Sequence, residues 1–295
     1  MNILFWNTGN HEPIDEIVGL VRHLRVDVLI LAECPLSPVK IVEKLNTGAR
    51  AEFHLPLNQS DRFTFVVALP PRNFTPVYDS AGVSAWHLKP PIGQDALVVA
   101  LHLPSKLHLD TEEQGHLAPR TSQMVERLEK RIGHSRTIVI GDFNMDPFEA
   151  GLVSSEGFHA TMARSIAGKR SRTVLGEVRH YFYNPMWSLL GDYSPGPPGT
   201  YFYPSSSPLT LFWHTYDQVL LRPELAKFFE PGDVRVIDSV GSRSLLTSAG
   251  LPNHAASDHL PLFAAIRLEE FNYGNEEPLG AATRNGRNQN TDAST

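Results

Sequence analysis

Six short polar clusters sit where apolar runs of this chain end or begin, and their residue types suggest one chemistry. Asn7 follows the run Asn2–Trp6, and Glu33 follows Asp27–Ala32. His102 lies at the end of Ala96–Leu103, and Asp142 and Asn144 come directly after Thr137–Ile140. Asp217 opens Tyr216–Leu221, and Asp258 and His259 precede Leu262–Leu268. Any one of these is an ordinary turn residue, since Asn and Asp favour turns and a strand-end His is commonly a surface group. Six repetitions of the pattern are not ordinary. Glu, Asp and Asn offer hard oxygens without thiolate, a donor set suited to Mg²⁺ or Mn²⁺ rather than zinc. A His beside an Asp is held in one tautomer and becomes a better base or proton donor. A metal, two His and an Asp/Asn pair meet the needs of phosphodiester hydrolysis: charge neutralisation, an activated water and help for the leaving oxygen.

Such groups need a sheet scaffold to hold them. Asn2–Trp6 is expected as a strand, and Asp27–Ala32 as a strand buried on both faces. Between them Pro13 is expected at a first helical position, and Ile14, Ile17, Val18, Val21 and Leu24 recur at helical spacing. Further strands are expected at Phe63–Leu69, Val83–His87, Ala96–Leu103, Thr137–Ile140, Tyr216–Leu221, Val234–Asp238 and Leu262–Leu268, with a second helix over Pro119–Ile132. Strands outnumber helices, so the expectation is stacked sheets flanked by helices. Residues 160–213 are expected to form a loop-rich insertion of basic and aromatic character, and residues 270–295 a disordered polar tail after a catalytic domain spanning 1–269.

The chain has 295 residues, 41% hydrophobic and 20% charged, with a formal net charge of −6. This composition excludes a wholly disordered chain, and no apolar run is long enough for a membrane span. The start lacks a basic n-region and a long apolar stretch, so no secretory signal is expected and a cytoplasmic location is. The single Cys34 excludes an intramolecular disulfide and a cysteine-rich zinc site. Beside an apolar strand, it is expected to be a buried, inert thiol.

In order along the chain, Leu4-Phe5-Trp6-Asn7, Asp27 to Glu33, Leu101-His102-Leu103-Pro104-Ser105, Gly141-Asp142-Phe143-Asn144, Tyr216-Asp217-Gln218-Val219 and Ser257-Asp258-His259-Leu260-Pro261 resemble the endonuclease/exonuclease/phosphatase superfamily. This superfamily includes deoxyribonuclease I, exonuclease III-type AP endonucleases and neutral sphingomyelinases. The resemblance implies an α/β fold, a four-layer α/β/β/α sandwich with its site at one rim of two packed sheets. It implies Glu33 as the principal Mg²⁺ ligand, with Mn²⁺ able to substitute, Asn7 beside it and Asp258 as a second metal-side carboxylate. Asp142 would orient or deprotonate the attacking water, and Asn144 would hold a phosphate oxygen. His259, fixed by Asp217, would contact the scissile phosphate. His102 is similar to the second histidine of the deoxyribonuclease I-like branch, with Asp61 where that branch carries the carboxylate supporting it. Thr8 and Gly9 follow Asn7, so the acidic residue of the AP-endonuclease branch is absent, and His102 replaces its tyrosine. Phe143 stands where the tyrosyl-DNA phosphodiesterase branch usually has Thr.

The leading substrate expectation is nucleic acid. Arg170, Arg172 and Arg179 would meet backbone phosphates, while Tyr201, Tyr203 or Trp213 would stack on bases. The alternative is a phospholipid, inositol phosphate or other small phosphoester, with Leu209–Trp213 as an apolar tip; a buried strand there is the expected reading. A non-catalytic binding module ranks last, because every metal and histidine position is filled.

Overall fold

The computed structural model describes residues 1–48, 51–57, 60–80, 82–105, 111–208 and 210–268, with only the backbone described at 111–115. The expected tail, 270–295, lies outside these residues. Two mixed sheets pack face to face, with helices on both outer faces. In the first sheet the strands run in the order Val234–Val236, Leu262–Ala265, Asn2–Asn7, Val28–Ala32, Phe63–Val67. The second runs Phe74–Ser80, Val83–Leu88, Ala96–His102, Thr137–Asp142, Asp217–Leu221, Phe182–Tyr183, Ala160–Thr161.

Period-two alternation explains the layering. Ile3, Phe5, Val28 and Ile30 of the first sheet meet Val98, Ala100, Ile138, Ile140 and Val219 of the second in the central core. The alternate residues Leu4, Trp6, Leu29 and Leu31 face outward onto Ile17, Leu20 and Val21 of the helix Ile14–Leu24 and onto Ile41 and Leu45 of the helix Pro38–Asn46. Leu97, Val99, Leu101 and Val139 face the helix Thr111–Ile132 through Val125 and Leu128. Strands buried on both faces read as continuous apolar runs, which is why the sequence shows them so plainly.

Several expectations shift. Pro13 caps the first helix rather than opening it. The second expected helix starts at Thr111 and carries Pro119 inside it. The helix Pro38–Asn46 and the strand Phe74–Ser80 escaped the periodicity reading. That strand lies at the sheet edge, and its half-exposed residues give no continuous apolar run. Residues 160–213 are not a loop appended to the fold: Ala160–Thr161 and Phe182–Tyr183 complete the edge of the second sheet. Between them Ser171–Val174 and Glu177–His180 form a hairpin.

Candidate active site

Register brings the polar clusters together. His102 pairs with Asp142 across parallel strands, and Asp142 pairs with Asp217 across antiparallel ones, so three chemically active residues lie side by side at one sheet rim. Asn7 ends the neighbouring strand of the other sheet, in register with Ala32, and Glu33 follows at once with a left-handed φ of 48°. The sheets are joined where Asn7 Nδ2 donates to Asp142 Oδ2 at 3.1 Å. The Ser-Asp-His segment is locked to this seam from three directions. Ser257 Oγ donates to the Asn7 carbonyl at 2.8 Å and accepts from the His259 amide at 3.0 Å. Trp6 Nε1 donates to the His259 carbonyl at 2.9 Å. Gly9 completes the seam: a Cβ there would stand 2.5 Å from Asp258 Oδ1, so the missing acidic residue near Asn7 makes room for Asp258.

His259 and Asp217 form a buried dyad, Nδ1 to Oδ2, at 2.8 Å. Burial alone would depress the imidazole pKa. The Asp217 charge and hydrogen bond, with Asp142 and Asp258, push it up to about 10. Its Nε2 points toward Asp142 Oδ2, 3.9 Å away. Asp142 is itself raised from the usual carboxylate range, first by burial and then by Asp217. Asn144 donates from its backbone to Asp142 Oδ1 at 2.8 Å and from Nδ2 to the Leu103 carbonyl at 2.7 Å. His102 Nε2 meets Glu33 Oε1 at 3.2 Å. Burial works to lower the His102 pKa, but the Glu33 hydrogen bond and the Asp142 charge raise it overall. Glu33 is lowered, chiefly by the hydrogen bond from His102.

These residues floor a cleft of about 800 Å³. Asn7, Glu33, His102, Asp142, Asn144, Asp258, His259 and Tyr201 all line it, whereas Asp217 stands behind His259. Tyr201 arrives on a short hairpin, Tyr201–Phe202 against Trp213–His214, and its ring lies 4.6 Å from that of His259. Other expected residues are elsewhere. Asp61 lines an adjoining cavity with Arg62, and the carboxylate that meets His102 is Glu33. Trp213 packs with the outer core of the first sheet, because it pairs with Phe202 on the hairpin face opposite the cleft-lining pair Tyr201 and His214. Leu211 and Phe212 are exposed, which corrects the buried-strand reading of this segment.

Arg170, Arg172 and Arg179 are far from the cleft. Tyr183 pairs with Leu221, at the end of its strand away from Asp217, and the chain preceding Tyr183 runs still farther off. The three arginines are also occupied: Arg170 by Glu224, Arg172 by His159 Nε2 at 3.0 Å, and Arg179 by Glu156 at 2.8 Å. The basic run therefore lies at the opposite rim, where two of these three arginines are paired with carboxylates. Cys34 is half-buried and its thiol is pushed up by burial, away from the reactive thiolate form.

The cleft also contains a pair that sequence reasoning missed. His214 Nδ1 meets buried Asp146 Oδ2 at 2.8 Å, and Asp146 Oδ1 accepts from the Thr215 amide at 2.8 Å. Tyr216 stacks between His214, at 4.7 Å, and Tyr201, at 5.5 Å. Phe148 and Tyr203, both exposed by nearly half, line the same cleft. The available signal was position: Asp146 is two residues beyond Asn144, and His214 is two residues before Tyr216.

The donor set fits a divalent cation. Glu33, Asp142, Asp146, Glu149 and Asp258 line the cleft, with no Lys or Arg among the described lining residues. A lining rich in hard carboxylate and amide oxygens suits Mg²⁺ or Mn²⁺.

Solved structures share this architecture. Truncated Caenorhabditis elegans TDP2 is 13% identical with a TM-score of 0.53, covering 90% of this chain and 96% of its own. D. rerio TDP2 complexed with a single-strand DNA product is 15% identical with a TM-score of 0.51, covering 90% and 98%. ANGEL2, a 2′,3′-cyclic phosphatase, is 15% identical with a TM-score of 0.52, covering 91% and 95%. At such identities the likeness is one of fold. No curated protein matches the chain by sequence. The family profile described as "Endonuclease/Exonuclease/phosphatase family" matches residues 2–259, nearly the whole of the described chain, and the protein belongs to that family.

Proposed function

We propose that the protein is a metal-dependent phosphodiesterase whose cleft accepts a phosphodiester flanked by a planar group, such as a single-stranded nucleic acid end. The observation that carries this reading is the buried His259–Asp217 dyad facing Asp142 across 3.9 Å. Glu33, Asn7 and Asp258 would hold the cation, which when bound neutralises charge on the phosphate and acidifies a water. Asp142, whose burial raises its pKa and so makes its carboxylate a stronger base, takes the proton of the attacking water. His259, held as imidazolium, donates from Nε2 to a non-bridging phosphate oxygen as negative charge grows there. Asn144 orients Asp142 through its backbone amide and stands beside it in the cleft. His102, whose protonated form is favoured by Glu33 and Asp142, would protonate the leaving oxygen. Tyr201, Tyr203 and Phe148 offer faces on which a base can stack.

A second reading is a small phosphoester. It is favoured by the lack of Lys and Arg among the described lining residues, since polymer backbones are gripped by cations. Purified protein assayed with Mg²⁺, Mn²⁺ or EDTA on bis(p-nitrophenyl) phosphate, single-stranded DNA and RNA, and duplex DNA separates these. Metal-dependent cleavage of single strands above duplex supports the nucleic acid reading. Cleavage of the simple diester alone moves the substrate to small phosphoesters, and no cleavage of any substrate overturns the enzyme.

A further inference from the structure

At the rim of the second sheet opposite the catalytic cleft, three neighbouring segments bring two imidazoles and a carboxylate to one point. His87 lies on Val83–Leu88, Asp95 immediately precedes Ala96–His102, and His134 lies just before Thr137–Asp142. His87 is in register with Leu97 and Leu97 with Thr137, whereas His102 and Asp142 sit five residues farther along. At about 3.3 Å per residue, the two rims are roughly 17 Å apart.

We propose that His87, Asp95 and His134 form a Zn²⁺ site that clamps these three segments together. His87 Nε2 is 2.8 Å and His134 Nε2 is 3.4 Å from the same oxygen, Asp95 Oδ2. One ligand atom from each residue falls within 4.8 Å of the others. Tetrahedral zinc with bonds near 2.05 Å places its ligand atoms about 3.3 Å apart, so small adjustments complete the site. The second, independent observation is His134 Nε2 itself. Its side chain is only 8% exposed, yet this nitrogen points into the group with no well-formed hydrogen bond, only the long 3.4 Å contact to Asp95 Oδ2. A buried polar atom held only by a long, poorly aligned contact is under-satisfied, and a cation shared with Asp95 would satisfy it.

The local charges agree with a neutral-imidazole, ionised-carboxylate donor set. Burial, with Arg136 nearby, lowers the His134 pKa, which keeps the ring neutral. Burial works to raise Asp95, but hydrogen bonds from His87 and Arg136 hold it at about 2, so it is ionised. Arg136 pairs with Asp95 Oδ1 and donates from Nε to the Asp95 carbonyl at 2.6 Å, leaving Oδ2 to the imidazoles. Zinc on His134 Nε2 places the ring proton on Nδ1, so the 3.2 Å contact from the Arg136 amide to Nδ1 is given up on binding. Three protein ligands leave the fourth position to water, and the partly exposed Asp95, at 33%, marks the entry path. Two nitrogen donors select zinc over the Mg²⁺ that suits the oxygen-lined cleft.

The test is metal retention and spectroscopy on the full chain. After loading with Zn²⁺ in excess Mg²⁺ and dialysis, the wild type and Glu33→Gln should each keep one zinc per chain, measured by elemental analysis. His134→Gln and His87→Gln should each weaken zinc binding by at least about tenfold, with folding checked by circular dichroism. Co²⁺ added to wild type should give tetrahedral ligand-field absorption that Zn²⁺ displaces, a readout that stands even if a variant fails to fold. Absence of retention and of the Co²⁺ spectrum in folded wild type overturns the site. So does undiminished binding in folded histidine variants, or loss of the zinc in Glu33→Gln.

Discussion

At the scale of single residues, the proposed roles separate by what each substitution changes. Glu33→Gln keeps shape but removes a charge from the oxygen-rich side of the cleft, so Mg²⁺ affinity and turnover should fall together while the melting temperature holds. Metal titration beside a thermal melt checks this, and full activity in the variant would remove Glu33 from the metal site. His259→Ala should lower kcat by about 10²–10⁴ with little change in KM, because the contact forms mainly as the transition state develops. Steady-state kinetics decide it, and an effect confined to KM contradicts the role. At this scale the sequence was most legible: Asn7, Glu33, His102, Asp142, Asn144, Asp258 and His259 all line one cleft. It was least legible where a residue depends on its partner. Asp61 looked suited to support His102, yet Glu33 reaches that ring from the other sheet.

At the scale of elements, two adjacent strands approach so closely that one side chain cannot exist. Gly141 faces Leu101 on the neighbouring strand, and a Cβ there would lie 1.9 Å from the Leu101 carbonyl oxygen. Gly141→Ala should therefore part the strands that carry His102 and Asp142, costing about 1–3 kcal/mol or more. Denaturant unfolding together with activity measures both losses. At the other end of these strands, Asp95 makes stability depend on acid. Its folded pKa of about 2 lies below the usual carboxylate value, so its contribution is fully present above roughly pH 4 and lost as pH falls through 2. Metal-free wild type should lose stability across that window more steeply than Asp95→Asn, as followed by thermal melts at stepped pH.

At the scale of the molecule, a buried ion pair adds to the apolar packing that holds the long helix on the second sheet. Arg222, 2% exposed, donates from Nε and Nη2 to the two Glu129 oxygens at 2.8 and 3.0 Å, and its guanidinium lies 3.8 Å over the Phe182 ring. Removing either partner strands a buried charge, so Glu129→Ala should cost about 3–5 kcal/mol, and a Glu129→Met, Arg222→Met double variant should cost less than that. Chemical denaturation of both variants checks the order.

The strand-end placement of the reactive side chains was determined by the sequence alone, because two-faced burial writes itself as uninterrupted apolar runs whose ends are local facts. Sheet order and hairpin direction are not local. The hydrogen bond between Asn7 and Asp142 spans 135 positions, and it exists only because two separate sheets pack. The same packing turned Tyr201 into the cleft and Trp213 out of it, and added His214 and Asp146. It also carried the basic segment around the hairpin to the far rim, where Arg170, Arg172 and Arg179 found partners. Composition displayed those charges, but only the tertiary contacts decided what they face.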